Sequence, residues 1–395
     1  MNRITGTFAT STTLGETVRA FVPHPLPPTD PPLGMAALAE LSRQAELALA
    51  RLSGVSGLVP SVDWLLYSAI RKEALLTSQL EGTQATLTDL FDEEAGFKVS
   101  NTDDVAEVTN YLQAFRLVQD QLRDPKGLPI SVRLLCDAHR LLLGGARGAG
   151  KQPGELRQSQ NWIGGTRPGN AVFVPPPPEL VPDLLSNLER FIHDEVSDLP
   201  PLVKVALVHA QFETIHPFLD GNGRIGRLLI AALLEHWKLL PEPLMYLSSY
   251  LKRHQAEYYR RLSVIRTEGD WEAWVSFFLE GVAVAAAEAE QSIISVASLV
   301  AADRRKLLQA PKASFVSYRL FEQLPMMPRF TVERVRQQLD TTFPTANSAV
   351  QTLETLGIVV ELTGQKKNRS YSYQAYVDLL TTPPARLAPI WHPPR

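Results

Sequence analysis

The sequence predicts a mainly α-helical protein that carries one small β-hairpin and ends in an α+β module. Three observations predict it. Apolar residues recur at helical spacing through most of residues 35–300. A glycine- and proline-rich stretch at 144–178 interrupts that pattern. Beyond residue 300 the charge balance reverses: residues 301–380 hold 11 Lys/Arg against 7 Asp/Glu, while residues 1–300 hold 26 against 35. A chain of 395 residues has room for two or three domains. Its 45% hydrophobic and 21% charged residues are ordinary for a globular protein. A net charge of −3 argues against a general polyanion binder.

Residues 1–34 begin polar and continue into "PHPLPPTDPPL", where proline density favours extended chain. Helical spacing starts at "MAALAELSRQAELALARL" and resumes at "SVDWLLYSAIRKEALLTSQLEG". There Ser61 supplies an N-cap and Gly82 a stop. "DDVAEVTNYLQAFRLVQDQL" and "SVRLLCDAHRLLL" follow, the latter with Ser131 as N-cap. In the interruption, "NWI" and "AVFV" flank "GGTRPGN" and read as a hairpin flap. Helices return at "ELVPDLLSNLERFIHDEV", "PLVKVALVHAQFETI", "RLLIAALLEHWKLL" and "LKRHQAEYYRRLSVIR". A long Ala-rich helix then runs from Asp270 to about Leu308.

From Ser314, three short helices ("SFVSYRLFEQL", "TVERVRQQL", "TANSAVQTLETLG") precede two strands around a basic turn, "GQKKNRSYSY". This is the winged-helix order, with Thr345–Leu356 in the recognition position. The expected division is an N-terminal helical region over 1–125, a core over 126–300, the winged helix over 301–380 and a poorly ordered tail over 381–395. The one cysteine, Cys136, excludes an intrachain disulfide and suits a reducing cytoplasm. It sits in an apolar helical pattern and reads as a buried small residue. No secretory leader or apolar run near ~18 residues is read, so a cytoplasmic chain without a membrane partner is expected.

The chemistry concentrates in His216–Arg227, "HPFLDGNGRIGR". Gly221, Gly223 and Gly226 fall where the motif enters the next apolar helix. Glycines there let a ligand approach the backbone, and a helix N-terminus adds free amides and a positive dipole end. The result is an anion nest. Arg224 and Arg227 lie three apart, so both face one side, and two guanidinium groups suit an oligophosphate. Asp220 would repel that phosphate unless a hard cation such as Mg²⁺ lay between them. His216, four residues earlier, is placed to take a proton from an incoming hydroxyl. The inferred reaction is attack by a hydroxyl on a metal-bound nucleotide phosphate.

This stretch resembles the signature of Fic proteins, HxFx(D/E)GNGRxxR, at every specified position. The resemblance implies an all-α Fic core and AMP transfer from Mg²⁺-bound ATP to a Ser, Thr or Tyr hydroxyl of a target protein, or of the chain itself, releasing pyrophosphate. Carried over by position, His216 is the general base, Asp220 the metal ligand and Gly221, Asn222 and Gly223 the phosphate nest. Arg224, Ile225, Gly226 and Arg227 complete the nucleotide site, with Arg227 on the γ-phosphate, and Phe218 anchors the loop. Phosphocholine or phosphate transfer on the same scaffold is the lesser alternative.

The resemblance extends outward. "SQNWIGGTRPGNAVFVPPPP" looks like the family flap, about 161–176, which pairs with target backbone. Ile163, Gly164, Gly165 and Val172 would dock the target. "AEYYRRL" is similar to the segment whose tyrosine contacts the base: Tyr258 is chosen, with Tyr259 competing. "TSQLEG" resembles the inhibitory motif (S/T)xxxE(G/N) on a helix of about 61–82. Glu81 would pair with Arg227 and fill the place of the γ-phosphate. Lys366, Lys367 and Arg369 at the wing tip are possible nucleic-acid contacts, although winged helices also bind protein and form homodimers. The alternative function is a DNA-binding regulator whose core senses nucleotide or removes AMP.

Overall fold

The computed structural model describes residues 3–59, 61–145 and 149–382; the expected tail beyond Thr382 lies outside them. The chain opens with an unanticipated hairpin, β1 (Gly6–Thr13) and β2 (Glu16–Pro23), in antiparallel register from Gly6↔Pro23 to Thr13↔Glu16. Its two-residue loop, Leu14 and Gly15, has φ of 49° and 77°. Positive φ at both positions matches the right-handed twist of the flanking strands.

The helical body follows: α1 (Met35–Val55), α2 (Val62–Leu80), α3 (Leu87–Glu94), α4 (Thr102–Arg123), α5 (Val132–Leu142), α6 (Val181–Ile192), α7 (Pro201–Ile215), α8 (Asn222–His236), α9 (Ser248–Arg253), α10 (Gln255–Glu268) and α11 (Trp271–Leu308). Ser61 and Ser131 cap α2 and α5 through their side chains, as expected. Gly82, at φ 102°, follows the end of α2. Helix α3 was not anticipated; a reciprocal Thr86–Asp89 capping box starts it.

Nearly every side of α7 is buried, including Leu202, Val203, Val205–Val208 and Phe212. It is the central helix, packed between α8, α6 and α11. By length and composition, α11 also passes as a membrane span, with an 18-residue window of mean hydropathy 1.3. Glu280, Glu288 and Glu290 interrupt its alanines and valines, which is why the run reads shorter in the sequence. Half of that window is buried within the protein, and α11 packs lengthwise on α1.

The C-terminal module comprises α12 (Phe315–Gln323), β3 (Arg329–Thr331), α13 (Val332–Gln338), α14 (Phe343–Thr355), β4 (Val360–Glu361), β5 (Ser370–Ser372) and α15 (Gln374–Thr381). The strands form an antiparallel sheet in the order β3-β5-β4. Three helices and the β4–β5 wing follow the expected order; β3 and α15 are additions. The expected boundary at residue 300 falls inside α11, which runs unbroken to Leu308.

The module is packed against the rest. Arg329 on β3 holds Asp92 on α3 at 2.6 Å. The Tyr373 hydroxyl donates to the buried Asp303 carboxylate of α11 at 2.8 Å. The Leu324–Met326 turn lies on α2, and α15 lies on α11.

Candidate active site

Helix α7 ends at His216, a left-handed residue with φ 50° and ψ 61°. Its N–H still bonds Phe212 O at 2.9 Å. The chain then turns through Pro217–Gly221 and enters α8. Phe218 is buried and stacks on His139, with ring centroids 3.8 Å apart and planes 10° apart. His139 braces the loop from below. Gly154 N–H donates to its Nδ1 at 2.9 Å, so Nε2 carries the proton and donates to Asp220 O at 3.0 Å. Burial holds His139 neutral, with its pKa pushed down to about 4.

At the entrance to α8, the first helix-closing bond runs from Ile225 N–H to Gly221 O at 3.0 Å. The amides of Asn222, Gly223 and Arg224 therefore precede the ladder and are available to an anion. Gly221, at φ 77°, makes the turn that aims them. Gly223 matters for a different reason. A Cβ there would collide with the Glu81 carboxylate and lie 2.9 Å from Arg227 Nη1.

Glu81 is the C-cap of α2, and its carboxylate accepts from Arg227 Nη2. Arg227 also donates through Nε to Thr77 Oγ1 and through Nη2 to Thr77 O at 3.1 Å. The side chains are 2% exposed for Arg227 and 33% for Glu81. Burial pushes the Glu81 carboxyl up, but Arg227, with Arg224 and His216, outweighs it and holds the group below its usual range. Burial likewise opposes the Arg227 charge, and Glu81 reverses that. The expected pairing of Glu81 with Arg227 is therefore present in the geometry.

Arg224 lies against Asp220 Oδ1 at 3.5 Å and Glu107 Oε2 at 3.7 Å. Asp220 is 46% exposed and takes the Gly221 N–H at 2.6 Å. One open carboxylate beside an anion nest fits a Mg²⁺ ion that completes its shell with water and phosphate oxygens. Among the described residues, no group of three His, Cys, Asp or Glu is gathered as a metal cluster.

Asn222 keeps its backbone amide in the nest, while the assignments of Ile225, Gly226 and Tyr258 need correction. Asn222 does not offer its side chain to a ligand. Its Oδ1 accepts Phe218 N–H and its Nδ2 donates to Phe218 O, both at 2.8 Å, so it staples the loop. Ile225 is fully buried and its amide is already in the helix. Gly226 is a crossing glycine: a Cβ would strike Glu213 and come within 3.3 Å of His209 and Phe212. Tyr258 is 1% exposed, and its hydroxyl donates to His209 Nε2 at 2.9 Å, while His209 Nδ1–H donates to Gly226 O at 3.1 Å. It is a core ring; Tyr259, 46% exposed, is the open one.

The flap is reduced to one bridge, Ile163↔Phe173, rather than two strands. Gly164 and Gly165 turn at φ 67° and 73°, and a 3₁₀ turn at Pro168–Asn170 ends the pairing. Val172, beside the bridge, is 77% exposed. On its other side Val174 O accepts Phe21 N–H from β2 at 2.9 Å. In the wing, Lys366 and Lys367 are exposed and Arg369 is half-buried. The structure brings His216, Asp220, the α8 amides, Arg224, Arg227 and Glu81 together; the wing residues belong to the separate C-terminal module.

Residues that sequence reasoning passed over also shape the site. The carboxyl of Glu213, on α7, is driven up to about 7 by burial and by Glu81, against the pull of Arg227 and Arg266. Arg266 sits 3.7 Å over the Phe173 ring of the flap. Arg157, from the stretch before the flap, donates from Nε to His216 O at 2.8 Å. His216 itself is held neutral, its pKa pushed down to about 4 by burial and by Arg157. Its motif position signals His216; nothing local signals Arg157 or Glu213, whose partners lie far along the chain.

Residues 39–120 match the Fic/DOC family N-terminal profile, and residues 129–234 match the Fic/DOC family profile. Over 154 residues the chain is 30% identical to the protein adenylyltransferase Fic of Drosophila erecta, covering 39% of this chain and 28% of that protein. The corresponding protein of Drosophila grimshawi is 32% identical over 154 residues, covering 39% and 29%. The chain thus spans less than a third of the length of these curated relatives. Two solved structures share the fold. A Fic family protein from Desulfovibrio desulfuricans G20 has a TM-score of 0.55 at 23% identity, over 85% of this chain and 95% of that one. A Fic domain containing signaling protein from Bacteroides thetaiotaomicron VPI-5482 has 0.53 at 18%, over 65% and 97%.

Proposed function

The chain belongs to the Fic/DOC family, and on that premise we propose that it is a self-inhibited protein adenylyltransferase. It transfers AMP from ATP to a hydroxyl of a target protein or of itself. One observation carries the reading: Glu81 reaches through the space above Gly223 to bond the Arg227 guanidinium inside an anion nest. A carboxylate held there occupies the place of a phosphate.

In the reaction the hydroxyl oxygen attacks the α-phosphorus, the bond to pyrophosphate breaks, and the hydroxyl proton passes to His216. A neutral imidazole at the end of α7 is ready for that proton. The α8 amides and Arg224 hold the phosphates, and Arg227 takes the γ-phosphate once Glu81 withdraws. Mg²⁺, which Asp220 would hold, supplies charge neutralisation on the triphosphate. The flap lines up the target backbone beside His216. While Glu81 stays on Arg227, ATP is held in a pose unsuited to in-line attack.

Incubation with Mg·ATP followed by mass spectrometry tests this. The Glu81→Gly variant gains an AMP adduct, the wild type gains little, and Glu81→Gly with His216→Ala gains none. Absence of the adduct in all three defeats the reading. A second reading, nucleic-acid binding by the C-terminal module, rests on the exposed Lys366 and Lys367 at the wing tip. A gel shift that survives Lys366→Glu with Lys367→Glu argues against it.

A further inference from the structure

Arg157 is fully buried, and all its bonds run to backbone carbonyls. Nε donates to His216 O at 2.8 Å; Nη2 donates to Pro176 O at 2.5 Å and Ile215 O at 3.4 Å; Nη1 donates to Ser159 O at 3.3 Å. Its own amide donates to Pro217 O at 2.9 Å. Among the described residues no carboxylate bonds it; Glu179 acts on it through space.

The identity of those acceptors is informative. Ile215 and His216 supply the last carbonyls of α7, at the negative end of its dipole, so a cation belongs there. His216 has the left-handed conformation that a β-carbon disfavours, so something must fix the orientation of its peptide. Ser159 and Pro176 lie where the flap leaves and rejoins the body. One rigid planar group therefore grips the end of α7 and both roots of the flap. A lysine could not do this, because its ammonium is a single point of donation on a flexible stem.

We propose that Arg157 is a positioning residue for adenylyl transfer: it locks the His216 peptide and the flap roots into one unit, so that a hydroxyl delivered along the flap meets the imidazole in register. The proposal rests on the adenylyltransferase reading above. Arg157 touches no reacting atom; it acts through His216 and the flap. The phosphate-holding groups are on α8 and make no bond to it, so nucleotide affinity is independent of it.

The test uses the full chain in the Glu81→Gly background. Arg157→Lys lowers the self-AMPylation rate at saturating Mg·ATP by about 100-fold, the scale of a misaligned encounter, while calorimetry gives an unchanged Mg·ATP affinity. Arg157→Ala loses rate similarly, and free guanidinium chloride at low millimolar concentration restores part of it, whereas ammonium chloride does not. The proposal is overturned if the Lys variant keeps the parent rate, if rate and affinity fall together in proportion, or if guanidinium gives no rescue. A Glu81→Gly parent that transfers no AMP overturns the adenylyltransferase reading and this proposal together; an active parent with an equally active Lys variant overturns this proposal alone.

Discussion

Replacing Glu81 by glycine removes the carboxylate that Arg227 holds and leaves a buried guanidinium short of its counter-charge. Breaking a buried pair from one side costs about 3–5 kcal/mol. The low end applies here, since Arg227 keeps both bonds to Thr77 and Glu81 is one-third exposed. At roughly 2 °C per kcal/mol for a chain this large, the nucleotide-free variant melts about 6 °C below wild type. Mg·ATP at a hundred times its dissociation constant returns about 2.7 kcal/mol, because a phosphate takes the carboxylate's place. Wild type gains less, since Glu81 already fills that place. Thermal-shift fluorimetry with and without Mg·ATP, alongside labelling from radiolabelled ATP, measures both effects. Glu81→Gln separates loss of charge from added backbone freedom. If the variant melts with wild type and Mg·ATP raises both equally, Glu81 does not compete with phosphate for Arg227.

Four further outcomes are expected. In the Glu81→Gly background, His216→Ala lowers the labelling rate by about 10²–10⁴-fold with Mg·ATP binding intact by calorimetry. Asn222→Ala strands the N–H and O of Phe218 and costs about 1–3 kcal/mol in urea denaturation, weakening the site through its loop. Glu213 has a folded pKa raised from 4.5 to about 7, so the folded state binds the extra proton and its contribution to stability falls as pH rises through that window. Wild type therefore loses about 3 kcal/mol relative to Glu213→Gln between pH 4.5 and 8. His139, His209 and His216, with lowered values, shift stability the other way and cancel in that difference. Tyr373→Phe strips a donor from the buried Asp303 and lowers stability by about 1–2 kcal/mol, read by the same denaturation.

Where a signal is local, the sequence carries it. Ser61, Gly82 and Ser131 mark helix ends because caps act on backbone within three residues, and the structure uses each of them. The "GNGR" run places an anion nest for the same reason. Distant partners defeated the reading. Tyr258 and Tyr259 are adjacent, and only the packing of α10 on His209 decides which ring faces inward. The β1–β2 hairpin hid because Leu14 is an unusual turn residue, although the β-branched threonines of "GTFATSTT" favour a strand. Arg157 owes its importance to carbonyls some sixty residues away.

The missing side chain at Gly223 has a consequence for control. On the self-inhibited reading it leaves a single seat beside Arg227, for which the protein's own acid and the nucleotide compete. A methyl group at 223 would be no switch, because it would meet the Glu81 carboxylate and the Arg227 guanidinium alike. A switch between the two occupants would act on α2 from behind, where the Leu324–Met326 turn of the C-terminal module leans on it. Control of the proposed enzyme would then be exerted at a distance from the pocket, by whatever moves a wedge rather than by whatever fits a lock.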